Sequence, residues 1–201
     1  MKKTVLKTAL YTLAFAFACI GLVFSALSLF CPMTMSDTYF KTGSNRLSAK
    51  YAVIAADRSG KVADYATAVE RCAVAGSNED VVTLGTQLLA HKGFAKYAAF
   101  RDGQTAGEGQ IAPSGKYADY VATLVVTALY REGKGEQAIA FAEETDGGEY
   151  AVRKELTFLA ATSGDRAFME KVLESLLENP VGSETYQTDL EILTRVLSAT
   201  H

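Results

Sequence analysis

Thr8 to Ser36 is a run of 29 residues without a single charge, and no other feature constrains this chain as much. Within it, Ala9 to Phe30 is ALYTLAFAFACIGLVFSALSLF, 22 residues long. As a helix it spans about 33 Å at ~1.5 Å per residue, against a bilayer core of ~30 Å. The length predicts one transmembrane helix. A cleaved signal peptide has a shorter apolar stretch, roughly 7–15 residues, and a small-x-small cleavage site. The best such site, Ala26-Leu27-Ser28, lies deep inside the run. A lipoprotein signal is not met either, because Cys31 follows Phe30 and Cys19 follows Phe17-Ala18. We expect an uncleaved signal anchor, with a cleaved signal peptide as the alternative.

Orientation follows from the flanking cations. Lys2, Lys3 and Lys7 crowd the N-terminal side, whereas Asp37 is the first charge beyond the run, followed by Lys41 and Arg46. That bias predicts the N-terminus inside and the remainder outside the cytoplasm. The expected organisation is a basic cytoplasmic segment at 1–8, a transmembrane anchor at 9–31, a linker at 32–46 and a helical domain at 47–201.

Composition then limits what the domain can do. Without the first 31 residues, all 23 acidic residues remain beside 17 Lys and Arg, a net charge near −6. An acidic domain with no basic cluster does not attract nucleic acid, and anionic lipid repels it weakly, leaving membrane attachment to the anchor. Three cysteines, Cys19, Cys31 and Cys72, form neither a disulfide framework nor a metal-ligand spacing. An exported chain without disulfides or N-glycosylation sequons fits a bacterial envelope, a Gram-positive one by preference.

From Leu47 onward apolar residues recur at helical spacing. Tyr65, Ala68, Val69, Cys72 and Ala73 form one stripe. Tyr117, Tyr120, Val121, Leu124, Val125, Ala128 and Leu129 form the longest, and Tyr186, Leu190, Leu193 and Leu197 the last. Each gives one apolar and one wet face, and no stretch alternates long enough to argue a strand. Ser77 with Asp80, and Ser114 ahead of Tyr117, resemble helix N-terminal caps. The fold expected is all-α: four helical hairpins at 47–75, 79–101, 116–145 and 149–178, then a capping helix at 184–199.

The breaks also repeat. Gly60, Gly93, Gly133 and Gly164 each sit between two short helices, 33, 40 and 31 residues apart. The long interval contains a Gly-rich insertion, Arg101 to Lys116. Gly93 to Ala98 and Gly133 to Ala138 keep a Gly-to-Ala spacing of five, with Tyr130 ahead of the second pair and Pro180 closing the series. On these residues the segment from Leu47 to Pro180 resembles the tetratricopeptide family. The chain departs from that pattern in having no Trp, and in Tyr65 and Met169 at the small position. The resemblance implies stacked hairpins, an α-solenoid, whose first helices line a concave surface that binds protein.

Candidates for chemistry are few. His91 lies at a helix end, suited to the C-terminal dipole. Gly109 to Tyr117 is not a phosphate loop: five residues separate Gly109 and Gly115, and Tyr117 stands where a Ser or Thr must hold magnesium. Glu174-Ser175 is similar to the catalytic pair of helical lytic transglycosylases, but Glu170, Glu174 and Glu178 form a row with the spacing of a solvated face. No catalytic, cofactor or metal residue is assigned. Cys72 sits mid-stripe as a small hydrophobe. The expected function is a membrane-anchored interaction or scaffold module for a protein or peptide partner. A cell-envelope enzyme and a structural subunit of a membrane complex are the alternatives. Candidate contact residues are Tyr51, Tyr117, Tyr120 and Tyr150 on first helices, and Arg101, Asp102, Glu108 and Ile111 from the insertion.

Overall fold

A computed structural model describes residues 2–103, 115–146 and 150–199, and among these the chain is helical with no strand. The N-terminal helix α1 runs Lys2–Phe30, and its segment Leu10–Phe30 is long and apolar enough to cross a membrane. None of the side chains of that segment is buried.

The segment expected as a linker is a helix over most of its length, and this corrects the expectation. Helix α2, Pro32–Lys41, begins with Pro at its first turn, where the missing N–H costs nothing. It packs on α3, Asn45–Ser59. The buried hydroxyl of Ser36 donates to the Ser48 carbonyl at 2.8 Å across that contact. Ala49, Ala52 and Ala56 form the inner face of α3, and their small side chains let α4, Val62–Ala75, approach closely.

The remaining helices are α5 (Asn78–Leu89), α6 (Phe94–Asp102), α7 (Tyr117–Arg131), α8 (Gly135–Thr145), α9 (Ala151–Ser163), α10 (Arg166–Glu178) and α11 (Glu184–Ala199). They fall where the periodicity places the hairpins. Gly60, Gly133 and Gly164 adopt the left-handed conformation that ends a helix sharply. Gly93 does not: its φ is −90°. There the turn is made differently, with the Gly93 N–H donating to His91 Nδ1 at 3.0 Å. The other ring nitrogen, Nε2, lies 3.2 Å from the Gly60 carbonyl, so His91 ties this turn to the preceding one rather than to its own helix end alone. The consequence is a second pair that does not close as a hairpin: α6 lies against α7 and α4 instead of along α5.

Helix α7 is the hinge of the packing. Its Tyr117 and Val121 belong to a core shared with α3 to α6, while Val125, Val126 and Leu129 belong to a second core shared with α8 to α11. Successive first helices touch, α5 on α7, α7 on α9 and α9 on α11. At the far end the buried Tyr186 of α11 donates to the Leu176 carbonyl at 2.7 Å and meets Tyr150 edge-on.

Candidate functional site

Two adjoining clefts lie on the face built by the first helices. One, of about 550 Å³, has Tyr120 and Thr123 of α7 on one wall and Lys154, Glu155 and Phe158 of α9 on the other. The second, of about 250 Å³, carries on between α5 and α7 past Asn78, Val81, Leu124, Thr127 and Arg131. Thr123 and Glu155 line both, so the clefts form one groove running across α5, α7 and α9. The local sequence makes this face. Positions 120, 123/124, 127 and 131 follow helical spacing on α7, with Val121, Val125 and Val126 turned to the core behind them.

The groove is mixed in chemistry. Phe158 is 62% exposed, a large ring on a helix whose Val152, Leu156 and Ala160 are fully buried. Thr127 donates to Glu155 Oε1 at 3.4 Å, fixing the carboxylate between the two helices. Thr123 donates back to the Tyr120 carbonyl at 2.8 Å, and its oxygen keeps its acceptor capacity. Arg131 and Lys154 are exposed cations along the rim. Burial, followed by the charge of Glu70, pushes the Tyr120 phenol up to about 12, although Arg101 opposes the shift. Its hydroxyl is therefore a neutral hydrogen-bonding group at physiological pH.

Most of the contact residues expected from sequence stand elsewhere. Tyr117 is fully buried, and its hydroxyl donates to Glu70 at 2.9 Å. Arg101 is buried too, pairing with Glu70 at 3.1 Å and donating to the Tyr97 hydroxyl. The Asp102 carboxylate accepts from the Tyr117 N–H at 2.6 Å, at the N-terminus of α7, while Ser114, the cap expected there, lies outside the described residues. Ser77 opens α5 without a side-chain cap. Tyr150 is buried, with its hydroxyl 3.2 Å from both the Thr157 hydroxyl and the Asp189 carboxylate. Tyr51 stacks on Tyr39 and lies 3.1 Å from Ser28 of α1. Glu108 and Ile111 lie outside the described residues. Among the described residues of the expected set, Tyr120 is the one that lines the groove.

The groove residues that the sequence reasoning passed over are Thr123, Thr127, Glu155 and Phe158. Polar residues at helical spacing look like any wet face. The usable signal was Phe158, an aromatic outside the apolar stripe of its helix.

Elsewhere, Glu174 is exposed on α10, and its neighbour Ser175 donates to Glu143 at 2.5 Å. A third cleft, of about 450 Å³, lies at the turns, between Gly133–Gln137 and Asp165, Phe168 and Lys171. The Lys171 ammonium pairs with Glu136 across it. Among the described residues no group of His, Cys, Asp or Glu is arranged to hold a metal. Comparison with family models, curated proteins and solved structures finds no match to this chain, so its own geometry carries the functional argument.

Proposed function

We propose that this chain is a membrane-anchored protein-binding module. In this reading α1 crosses the bilayer once, with the N-terminus in the cytoplasm and residues 37–201 outside it. The helical pairs stack as a short tetratricopeptide-like solenoid, and the groove over α5, α7 and α9 holds an extended segment of a partner protein. The observation that carries the reading is the continuity of that groove through Thr123 and Glu155 on first helices. Further support comes from the successive contacts α5–α7, α7–α9 and α9–α11, and from the lysines ahead of α1. The groove's chemistry suits a peptide: Phe158 offers a ring to an apolar side chain, Thr123 and Asn78 offer partners to main-chain groups, and Arg131 and Lys154 favour acidic flanks.

A photo-cross-linking residue placed at Thr123 in cells tests this. It should yield one discrete protein adduct, and the same residue at Glu174 on the exposed face of α10 should yield none. Adducts at both positions, or at neither, would remove the groove as the binding surface.

A further inference from the structure

The last turn of α1 is held by α3. The Ser28 and Tyr51 hydroxyls lie 3.1 Å apart, and the Arg58 guanidinium donates to the Leu29 carbonyl. Tyr51 and Arg58 are seven residues apart, about 10.5 Å along a helix at ~1.5 Å per residue. They nevertheless converge on neighbouring residues of α1. A helix lying alongside α1 would spread two such contacts over two turns. Their convergence sets α3 across the end of α1, where its packing partners are α2 and α4.

The apolar run of α1 ends at Phe30, which is 82% exposed. With α1 as a membrane span, Ser28 and Leu29 stand at the outer edge of the hydrocarbon, and α3 lies at the level of the headgroups. Leu47, Tyr51, Ile54 and Arg58 share one stripe of α3, at i, i+4, i+7 and i+11. The buried Ala49, Ala52 and Ala56 are on another face, and Leu47 is 43% exposed.

Charge divides the same way. Residues 32–61, which hold α2 and α3, contain five Lys and Arg against two Asp. Residues 62–201 contain twelve Lys and Arg against 21 Asp and Glu. The negative net charge of the whole domain conceals a basic end, placed where the anchor enters it.

We propose that this α2–α3 end is a lipid-binding surface. The stripe from Leu47 to Arg58 rests in the headgroup layer of the bilayer that α1 crosses, and its partner is anionic phospholipid. The proposal rests on the reading of α1 as a span. Amphipathic helices with aromatic and basic residues at this depth bind through apolar burial plus attraction to anionic headgroups. Arg46 and Lys50 flank the stripe and supply the attraction, while the acidic remainder is pushed away from the surface. The domain is thereby fixed upright on the membrane instead of trailing from a flexible tether.

The chain has no tryptophan, so a single introduced one reports depth without background. Full-length protein carrying Phe24→Trp, Leu47→Trp or Phe158→Trp is placed in bilayers of phosphatidylcholine with phosphatidylglycerol, their acyl chains brominated near the headgroup. Ile54→Trp repeats the α3 measurement at a second, half-buried position of the stripe and leaves Arg46 and Lys50 in place. Phe24→Trp and Leu47→Trp should lose most of their emission and Phe158→Trp little. Quenching at Leu47→Trp should weaken in phosphatidylcholine alone and on adding Arg46→Glu with Lys50→Glu. If Leu47→Trp and Ile54→Trp behave like Phe158→Trp while Phe24→Trp is quenched, the span stands and the docking is wrong. Equal quenching with and without phosphatidylglycerol overturns the anionic partner. An unquenched Phe24→Trp overturns the span itself, and the docking with it.

Discussion

Gly85 of α5 lies so close to Val125 of α7 that a methyl group added to Gly85 would stand 2.4 Å from Val125 Cγ2. Helices α5 and α7 form one wall and the floor of the groove, so this contact sets its width. Val is stiff at χ1 and cannot swing aside cheaply. Gly85→Ala should therefore destabilise the protein by about 1–3 kcal/mol, overriding a helix-propensity gain of about 1 kcal/mol. Val125→Ala makes room, so the double variant should lose less than the sum of the two single ones. Urea unfolding measures all three, and strictly additive losses would mean the helices do not meet here.

Asp146 organises the start of α9 from outside it. Its side chain is buried and accepts from the Tyr150 and Val152 N–H groups at 3.0 and 2.8 Å. It also pairs with the buried Arg153 guanidinium at 2.7 Å. These bonds hold Tyr150 at a φ of 63°, a left-handed conformation that costs a non-glycine residue about 1 kcal/mol or more. Asp146→Ala leaves Arg153 buried without its counter-charge and should cost about 3–5 kcal/mol. Asp146→Asn keeps an acceptor and should cost less. Matching losses in thermal unfolding would show that the charge alone matters there and that the acceptor Asn keeps contributes nothing.

Glu70 gives the fold a pH signature. Burial raises its carboxyl above the ordinary carboxylate range, although Arg101 and the Tyr117 hydroxyl pull it down. The folded state therefore holds this proton more tightly than the unfolded chain does. Stability from Glu70 is complete below its unfolded pKa, 4.5, and is lost as pH rises through the higher folded value. The stability of the wild-type protein minus that of Glu70→Gln should fall as pH rises above about 4.5. A difference that grows over the same range would mean that the Arg101 pairing outweighs burial.

Cys72 is fully buried, and burial, helped by Asp80, pushes its thiol up to about 12. A maleimide should modify Cys72 only when the domain unfolds, while the exposed Cys31 of the same full-length protein reacts at once in detergent. Equal rates for the two would contradict the packing of α4.

The sequence exposed the helices more readily than their partners. Apolar periodicity located every helix from Leu47 onward because each buries one face. It missed α2, whose Thr34, Ser36, Asp37 and Thr38 look like a linker and whose helicity depends on docking against Ser48. The repeat glycines marked the turns, but Gly93 keeps the same five-residue spacing to an Ala as Gly133 and differs through His91, which bonds a carbonyl 31 residues away. Arg101 and Asp102 looked like surface charges for the same reason. Their partners, Glu70 and the Tyr117 N–H, lie 31 and 15 residues off, and no local pattern marks a charge that will be buried. Of the groove, the sequence reading reached Tyr120, whereas Thr123, Thr127 and Glu155 repeat the pattern of a solvated helix face.

The central claim is that a partner segment binds across α5, α7 and α9. The segment recovered from a Thr123 adduct, synthesised as a peptide, is titrated into full-length protein in lipid nanodiscs, beside Thr123→Arg and Glu174→Arg variants of equal melting temperature. Thr123→Arg should weaken binding at least tenfold, about 1.4 kcal/mol, with no change at Glu174→Arg. Equal affinity across the three proteins would contradict it.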